Sequence, residues 1–393
     1  MEPDDVVRRI AMEPGADTLP TAVFFPMEGG PMYLGTAAHR ALIDGEEGRY
    51  MRALKSVLGT SLFHESRLLG GKRRTLAEVV SAFLSEMKAR AEVATGIRFV
   101  RALSGRPVHF HTDDPVRDAR AEADLRACYE AAGFETIDFL FEPEAAALAT
   151  PGLARPGEIG LIVDIGGGTS DFSVFRIEAG EVVILASHGI RLGGTDFDQA
   201  LSLAQAMPHL GLGGALTRTF GEGRLPVPRA LYVDLATWAK IPFLYTRETE
   251  RAVEDLRRHA VEPDKLARLA TVIEAHLGHE LAFAVEAGKV AVNGGDRAAI
   301  DLGMIEPGLA QPLTPAALAA SLAAARDPLR EALHATLIAA GVTPGAVGTV
   351  VLVGGSSLMS LVTDTVAEVC PDARQVRAEA FTAVVDGLAR AAG

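Results

Sequence analysis

Cysteine is nearly absent. Cys128 and Cys370 are the only two in 393 residues, they are widely separated, and no histidine stands at metal-ligand spacing from either. This usage argues against a disulfide framework and a zinc centre, and it fits a reducing compartment. Positive charge is in deficit, because 38 Lys and Arg against 51 Asp and Glu leave a net charge of −13. Proteins that grip a phosphate backbone usually show a basic face, so no nucleic-acid partner is expected. No uncharged apolar run reaches the roughly 18 residues of a membrane span. The opening Met1-Glu2-Pro3-Asp4-Asp5 has neither the basic nor the apolar stretch of a leader peptide. The expectation is a cytoplasmic protein without membrane contact. No repeat of roughly 20 to 50 residues is visible, which sets solenoids and propellers aside. What is present is a globular composition, 48% apolar and 23% charged, for which a packed core is expected. The length allows two or three average domains, or one bilobal unit with two cores.

The most informative stretch runs from Leu161 to Ile177. An apolar run enters Asp164, then Gly166, Gly167 and Gly168 permit a turn with positive φ, and Asp171 opens a second run carrying Phe172, Val174 and Ile177. The pattern predicts strand, tight turn, strand. Such a turn can aim several backbone N–H groups at one point, and a phosphate fits there because no Cβ blocks its approach. The flanking aspartates point to a hydrated divalent cation beside that phosphate, since Mg²⁺ prefers carboxylate oxygens and keeps several waters. An ordinary Gly-rich hairpin with solvated carboxylates is the alternative these residues leave open.

Along the chain, Val6 to Ile10 and Ala22 to Phe25 read as short strands, and the pattern from Ala37 to Leu58 reads as helical. Lys55 lies in the latter before Gly59, where it could face solvent or reach a cleft. Thr75 to Ala94 is the clearest helix, with Leu76, Val79, Val80, Phe83, Leu84 and Met87 along a core stripe and Gly96 beyond its end. Pro107 to His111 reads as a strand, Arg117 to Ala132 as a helix, and Ile137 to Phe141 as a strand running into Glu142-Pro143. Glu142 therefore stands at a helix start, either as a dipole-favoured carboxylate or as a group projecting into a cleft. A second glycine turn, Gly193-Gly194, is followed by acids. Residues 208 to 230 look irregular, and helices follow to about Val292, with Glu286 and Lys289 three apart on one face. Ala298 to Leu302 and Val347 to Val353 read as strands, the latter ending in Gly354-Gly355-Ser356-Ser357. Pro315 to Ala340, Met359 to Val369 and Phe381 to Ala392 read as helices.

Three separated signals together resemble the nucleotide-binding domain of the seventy-kilodalton heat-shock chaperones, within the actin and sugar-kinase-like ATPase superfamily. Asp164-x-Gly-Gly-Gly-Thr169-x-Asp171 is similar to that family's second phosphate loop, Glu142-Pro-x-Ala-Ala-Ala to its first connecting helix, and Val350 to Ser357 to its adenosine loop. Arg52 to Gly59 is similar to the segment holding the family's cleft lysine, which turns Lys55 toward the cleft. The resemblance implies an α/β, bilobal actin-like ATPase fold, two RNase H-like lobes around a nucleotide cleft. Lobe I would comprise 1–157 and 372–393, and lobe II 158–371, with a helical excursion at about 205–295.

Carried over, the resemblance implies ATP or ADP with Mg²⁺. Gly166, Gly167, Gly168 and Thr169 would hold the β and γ phosphates, with Gly193 and Gly194 in a further cleft turn. Asp164 and Asp171 would hold the hydrated metal, and Glu142 and Lys55 would orient the attacking water. Gly354, Gly355 and Ser356 would let the nucleoside lie against backbone, with Glu286 and Lys289 on the ribose. The arginines that sandwich adenine in the family fall on Val290 and Leu358, which replaces cation–π stacking by apolar packing and leaves base selectivity open. The family opens with an Asp-x-Gly-Thr phosphate loop, whereas Val6 to Pro26 already resembles the strand after it. Impaired hydrolysis is therefore expected, and a peptide-binding domain is not. Two alternatives are a non-hydrolysing nucleotide-dependent scaffold or regulator, whose protein partner is left open, and a small-molecule kinase of the same superfamily.

Overall fold

A computed structural model describes residues 7–52, 54–111, 114–149, 157–178, 181–218, 222–295, 297–377 and 382–392. Residues 7–10, expected as part of a strand, form none, and Val6 lies outside the described residues. β1 (Ala22–Pro26) is the centre of a small antiparallel sheet between β2 (Tyr33–Leu34) and β3 (Gly48–Arg52), and α1 (Thr36–Ile43) covers one face through Ala38 and Ala41. The single helix expected over 37–58 is thus three pieces, α1, β3 and a 3-10 turn, Leu54–Val57, that carries Lys55. Pairing is the reason: β3 runs in register with β1, Tyr50 opposite Phe24, and cross-strand packing outweighs local propensity.

After α2 (Ser61–His64) and the hairpin of β4 (Arg67–Leu69) and β5 (Lys72–Arg74) comes α3 (Leu76–Thr95). It starts at a Thr75/Glu78 capping box and stops at Gly96 with φ 70°. Leu76, Val79 and Phe83 are buried with Val80, Leu84 and Met87 packed beside them, so the expected stripe is core. β6 (Arg101–Arg106), α4 (Pro115–Ala131) and β7 (Thr136–Phe141) form a parallel crossover unit. The strand expected at Pro107–His111 is therefore placed earlier, at β6. There the register to β7 runs from Arg101↔Thr136 to Arg106↔Phe141, while Pro107 has no N–H to extend the ladder.

α5 (Glu142–Ala149) leads to three antiparallel strands, β8 (Ile159–Ile165), β9 (Ser170–Glu178) and β10 (Glu181–Ile190). α6 (Gly194–Leu201) precedes a ribbon of β11 (Ala215–Thr217) and β12 (Arg224–Pro226). The helices α7 (Ala230–Leu235), α8 (Arg247–His259), α9 (Pro263–Glu274) and α10 (Gly278–Gly294) follow. The hairpin β13 (Ala298–Asp301) and β14 (Ala310–Leu313) and the long α11 (Pro315–Ala339) come next. β15 (Val347–Val353), α12 (Ser360–Val369), β16 (Arg374–Arg377) and α13 (Ala383–Ala392) finish the chain. Phe381, expected to open α13, lies outside the described residues. The main sheet has the order β10-β9-β8-β15-β16, and β16 joins β15 in parallel. That sheet therefore extends past residue 372, where the return to the first lobe was expected. The return falls at α13, which lies against α5 so closely that a Cβ on Gly387 would stand 1.7 Å from the Ala145 carbonyl oxygen.

The period-2 alternation of the main sheet separates its two faces. Leu161, Val163, Ile165, Phe172, Val174, Val350 and Leu352 enter the large core beneath α6 and α9–α12. Ile162, Phe175, Val351 and Val353 face the other way, onto Ala146 and Ala147 of α5 and Ala383 of α13. Asp164 shares a face with Ile162, and Asp171 with Ser173 and Phe175. The same alternation that packs the core thus turns both carboxylates toward the first lobe.

Candidate functional site

The turn between β8 and β9 closes with a hydrogen bond from the Gly166 N–H to the Thr169 carbonyl, 3.0 Å, and Asp164 sits directly across from Asp171 in the ladder. None of Gly166, Gly167 and Gly168 adopts a left-handed φ, so the expected conformational need for glycine is not met there. A Cβ on Gly167 or Gly168 would meet nothing within 4 Å, so the tight contact falls on the turn that faces them. The Gly194 N–H donates to the Gly166 carbonyl at 2.9 Å, and the Thr195 N–H to the Gly167 carbonyl at 2.7 Å. A Cβ on Gly193 would stand 2.7 Å from the Gly168 nitrogen, and one on Gly194 would stand 2.4 Å from Ser356 Oγ. Gly354 does need left-handed backbone, with φ 80°, and a Cβ there would stand only 2.6 Å from the Ile165 carbonyl oxygen and 2.9 Å from an Asp164 oxygen. Three turns expected from sequence, 166–169, 193–195 and 354–356, are therefore docked backbone to backbone beside Asp164.

From the first lobe, Lys55 Nζ donates to both Glu142 oxygens, at 2.6 and 2.8 Å. Glu142 opens α5 directly at the end of β7, as Pro143 in the first turn permits. Glu142, Asp164 and Asp171 line a small cavity with Pro107, Val108 and Ser173. Burial, reinforced by the carboxylates of Glu142 and Asp171, pushes Asp164 up to about 7 against the pull of Lys55. Burial also raises Asp171, with Lys55 opposing. Clustered carboxylates at such a cost are what a cation relieves. Among the described residues no group of three or more ligating side chains forms a cage. Two carboxylates with room for water instead fit hydrated Mg²⁺, which binds few protein ligands directly.

On the far side, α10 carries Glu286, exposed, and Lys289, only 5% exposed and paired through Nζ with Asp198 at 2.7 Å. Lys289, which the resemblance puts on the ribose, is here half of an ion pair that anchors α10 to α6. Asn293, missed from the sequence, ties α10 to the third turn: its amide nitrogen donates to the Leu358 carbonyl at 2.9 Å, and its oxygen accepts from the Ser360 N–H at 3.0 Å. The signal was present, since 286, 289 and 293 fall on one helical face. Val290 is 62% exposed.

A bilobal α/β architecture with glycine turns and paired aspartates converging between the lobes defines the actin-like ATPase class. Residues 64–206 match the family model described as Hsp70 protein. The chaperone protein DnaK of Thermosipho melanesiensis is 35% identical over 204 residues, 51% of this chain and 32% of that protein. DnaK of Thermotoga maritima is 34% identical over the same shares. The match thus spans about a third of the length of these curated relatives. These matches support an Hsp70-family nucleotide-binding domain over the matched part of the chain.

Proposed function

We propose that this chain binds ATP or ADP with Mg²⁺ in the cleft between its lobes and hydrolyses ATP slowly. The observation that carries the reading is the docking of three bare-backbone turns beside Asp164 and Asp171, a surface that suits a polyphosphate. Gly166–Thr169 with Gly193 and Gly194 would cradle the phosphates, and Gly354, Gly355 and Ser356, with Glu286, would seat the nucleoside. Asp164 and Asp171 would hold the hydrated cation, which supplies neutralisation of phosphate charge. Glu142, held by Lys55, would orient the attacking water. Phosphoryl transfer asks mostly for positioning and charge compensation, and no covalent nucleophile is required.

Slow turnover is supported by asymmetry. Among the described residues, the turn backbones at the site belong to the second lobe, while the first lobe offers the Lys55–Glu142 pair. Transition-state charge would be clamped from one side, and a missing preorganised donor costs about a hundredfold to a thousandfold in rate. The Lys55 bond to both Glu142 oxygens also favours a second reading, a nucleotide-responsive scaffold in which ATP sets the lobe angle without turnover. The reading places the protein in the cytoplasm, in keeping with its two unpaired cysteines. No helix among the described residues is long and apolar enough to cross a membrane.

The test is calorimetry of ATP with and without Mg²⁺, beside single-turnover phosphate release. Binding of the Mg²⁺ complex is expected, with Asp164→Asn removing the metal-dependent part of the affinity and sparing the metal-free part. Glu142→Ala should lower the residual rate more than it weakens binding, because a water-orienting group acts mainly in the transition state. Absence of heat and of any thermal shift at millimolar ATP would remove the nucleotide reading. Binding with no phosphate release at all would select the scaffold.

A further inference from the structure

Arg52 ends β3 in the first lobe, three residues before Lys55, and its guanidinium reaches across to the second lobe. It stacks over Trp238 with 4.0 Å between Cζ and the ring centroid. The platform is braced. Trp238 packs edge-on against His279 at 4.6 Å and Phe283 at 4.9 Å, and Tyr50 approaches it at 6.3 Å from Arg52's own strand. The acids that face Arg52 are Glu286 and Asp198, the groups on the nucleoside side of the cleft. Asp198 is already committed to Lys289. Among the described residues the Arg52 guanidinium makes no hydrogen bond or ion pair, although burial makes its charge more costly than in water.

A guanidinium fixed flat on an indole keeps its N–H edge free, and that edge matches the geometry of phosphate oxygens. An anion recovers more of the lost hydration than a neutral ribose hydroxyl can, because charge-assisted bonds are about twice as strong. We propose that Arg52 is a nucleotide-binding residue that donates from the first lobe to a phosphate oxygen of the nucleoside di- or triphosphate, with Trp238 as its platform. This rests on the nucleotide reading of the cleft. It adds a cation to the lobe that otherwise contributes the Lys55–Glu142 pair.

The experiment is calorimetry of ADP and of adenosine against the wild type, Arg52→Met and Arg52→Lys, with far-UV circular dichroism as the fold control. A charge-assisted bond corresponds to about tenfold to a hundredfold in affinity. Arg52→Met should lose that much for ADP and almost nothing for adenosine, and Arg52→Lys should fall between, keeping charge but not the stacked fork. Trp238 is the single tryptophan, so ADP should also shift the emission of the wild type and leave that of Arg52→Met near its starting value. Unchanged ADP affinity would overturn the assignment. So would an equal loss for ADP and adenosine, which would make Arg52 a tie between the lobes. Failure of the wild type to bind either ligand would instead remove the nucleotide reading, and this proposal with it. If Arg52→Met does not fold, the two affinities of Arg52→Lys decide by the same criteria.

Discussion

His279 is buried against the edge of Trp238, and that burial holds its imidazole down at about 4, against an ordinary value of 6.5. Arg52 nearby adds to the depression, while a hydrogen bond to the Trp238 backbone opposes it. The unfolded chain takes up a proton as pH falls through 6.5, and the folded chain does not until about 4. Stability is therefore complete above pH 6.5 and is lost across that window, by about 3 kcal/mol at its lower end on a linkage estimate. Urea denaturation at intervals from pH 7 to 4.5 should show this decline. His279→Gln should flatten it by about one proton, or about 1.4 kcal/mol per pH unit. An identical slope in both proteins would place the acid sensitivity elsewhere. The hairpin that sets Asp164 across from Asp171 was legible in the sequence, because a run of glycines between two apolar runs marks a tight turn between strands. Arg52 and the committed state of Lys289 were not. Each depends on a partner, Trp238 or Asp198, that is distant in sequence and brought close only by lobe packing.

At the scale of elements, α5 and α13 form the joint between the lobes, and their contact works because both are lined with small residues. Gly387 lies against the Ala145 backbone, with no room for a Cβ. Gly387→Ala should therefore destabilise by about 1–3 kcal/mol through forced separation of the helices, despite alanine's better helix propensity. Gly294, at the end of α10 with open space around its Cα, is the control: Gly294→Ala should be neutral or stabilising by up to about 1 kcal/mol. Equal effects at both positions, read from denaturation midpoints, would mean that the joint relaxes freely. Most element types followed from pattern, as α3 shows, where stripe, capping box and terminal glycine agree. The failures have one cause. β3 is five residues held by β1, and β6 contains Ser104 and Gly105, which read as breakers until β7 supplies the pairing. Where a strand owes its existence to a distant partner, local propensity points elsewhere.

The two lobes are unequally built. The second packs β8, β9 and β15 with seven helices, α6 to α12, into one continuous core, whereas the first divides its buried side chains among three small clusters around β1, α1, α3 and α4. Hydrophobic stabilisation grows with buried apolar area, so the first lobe should open at lower temperature. The joint beneath Ile162, Phe175 and Val351 is too small a cluster to force both lobes to unfold together. Differential scanning calorimetry of the free protein should accordingly resolve two transitions. On the function proposed above, a nucleotide seated on the second lobe's turns and contacted from the first by Arg52, with the Lys55–Glu142 pair beside it, would bind only when both lobes are folded and closed. Its binding free energy then falls on the weaker unit: at a hundredfold excess over Kd it adds about 2.7 kcal/mol, and the lower transition should rise toward the upper. Mg²⁺ with ADP is the test ligand, since it is not consumed during the scan. A rise confined to the upper transition would mean that the nucleotide is held by the second lobe alone, and that the first lobe's lysine and arginine stay out of the bound complex.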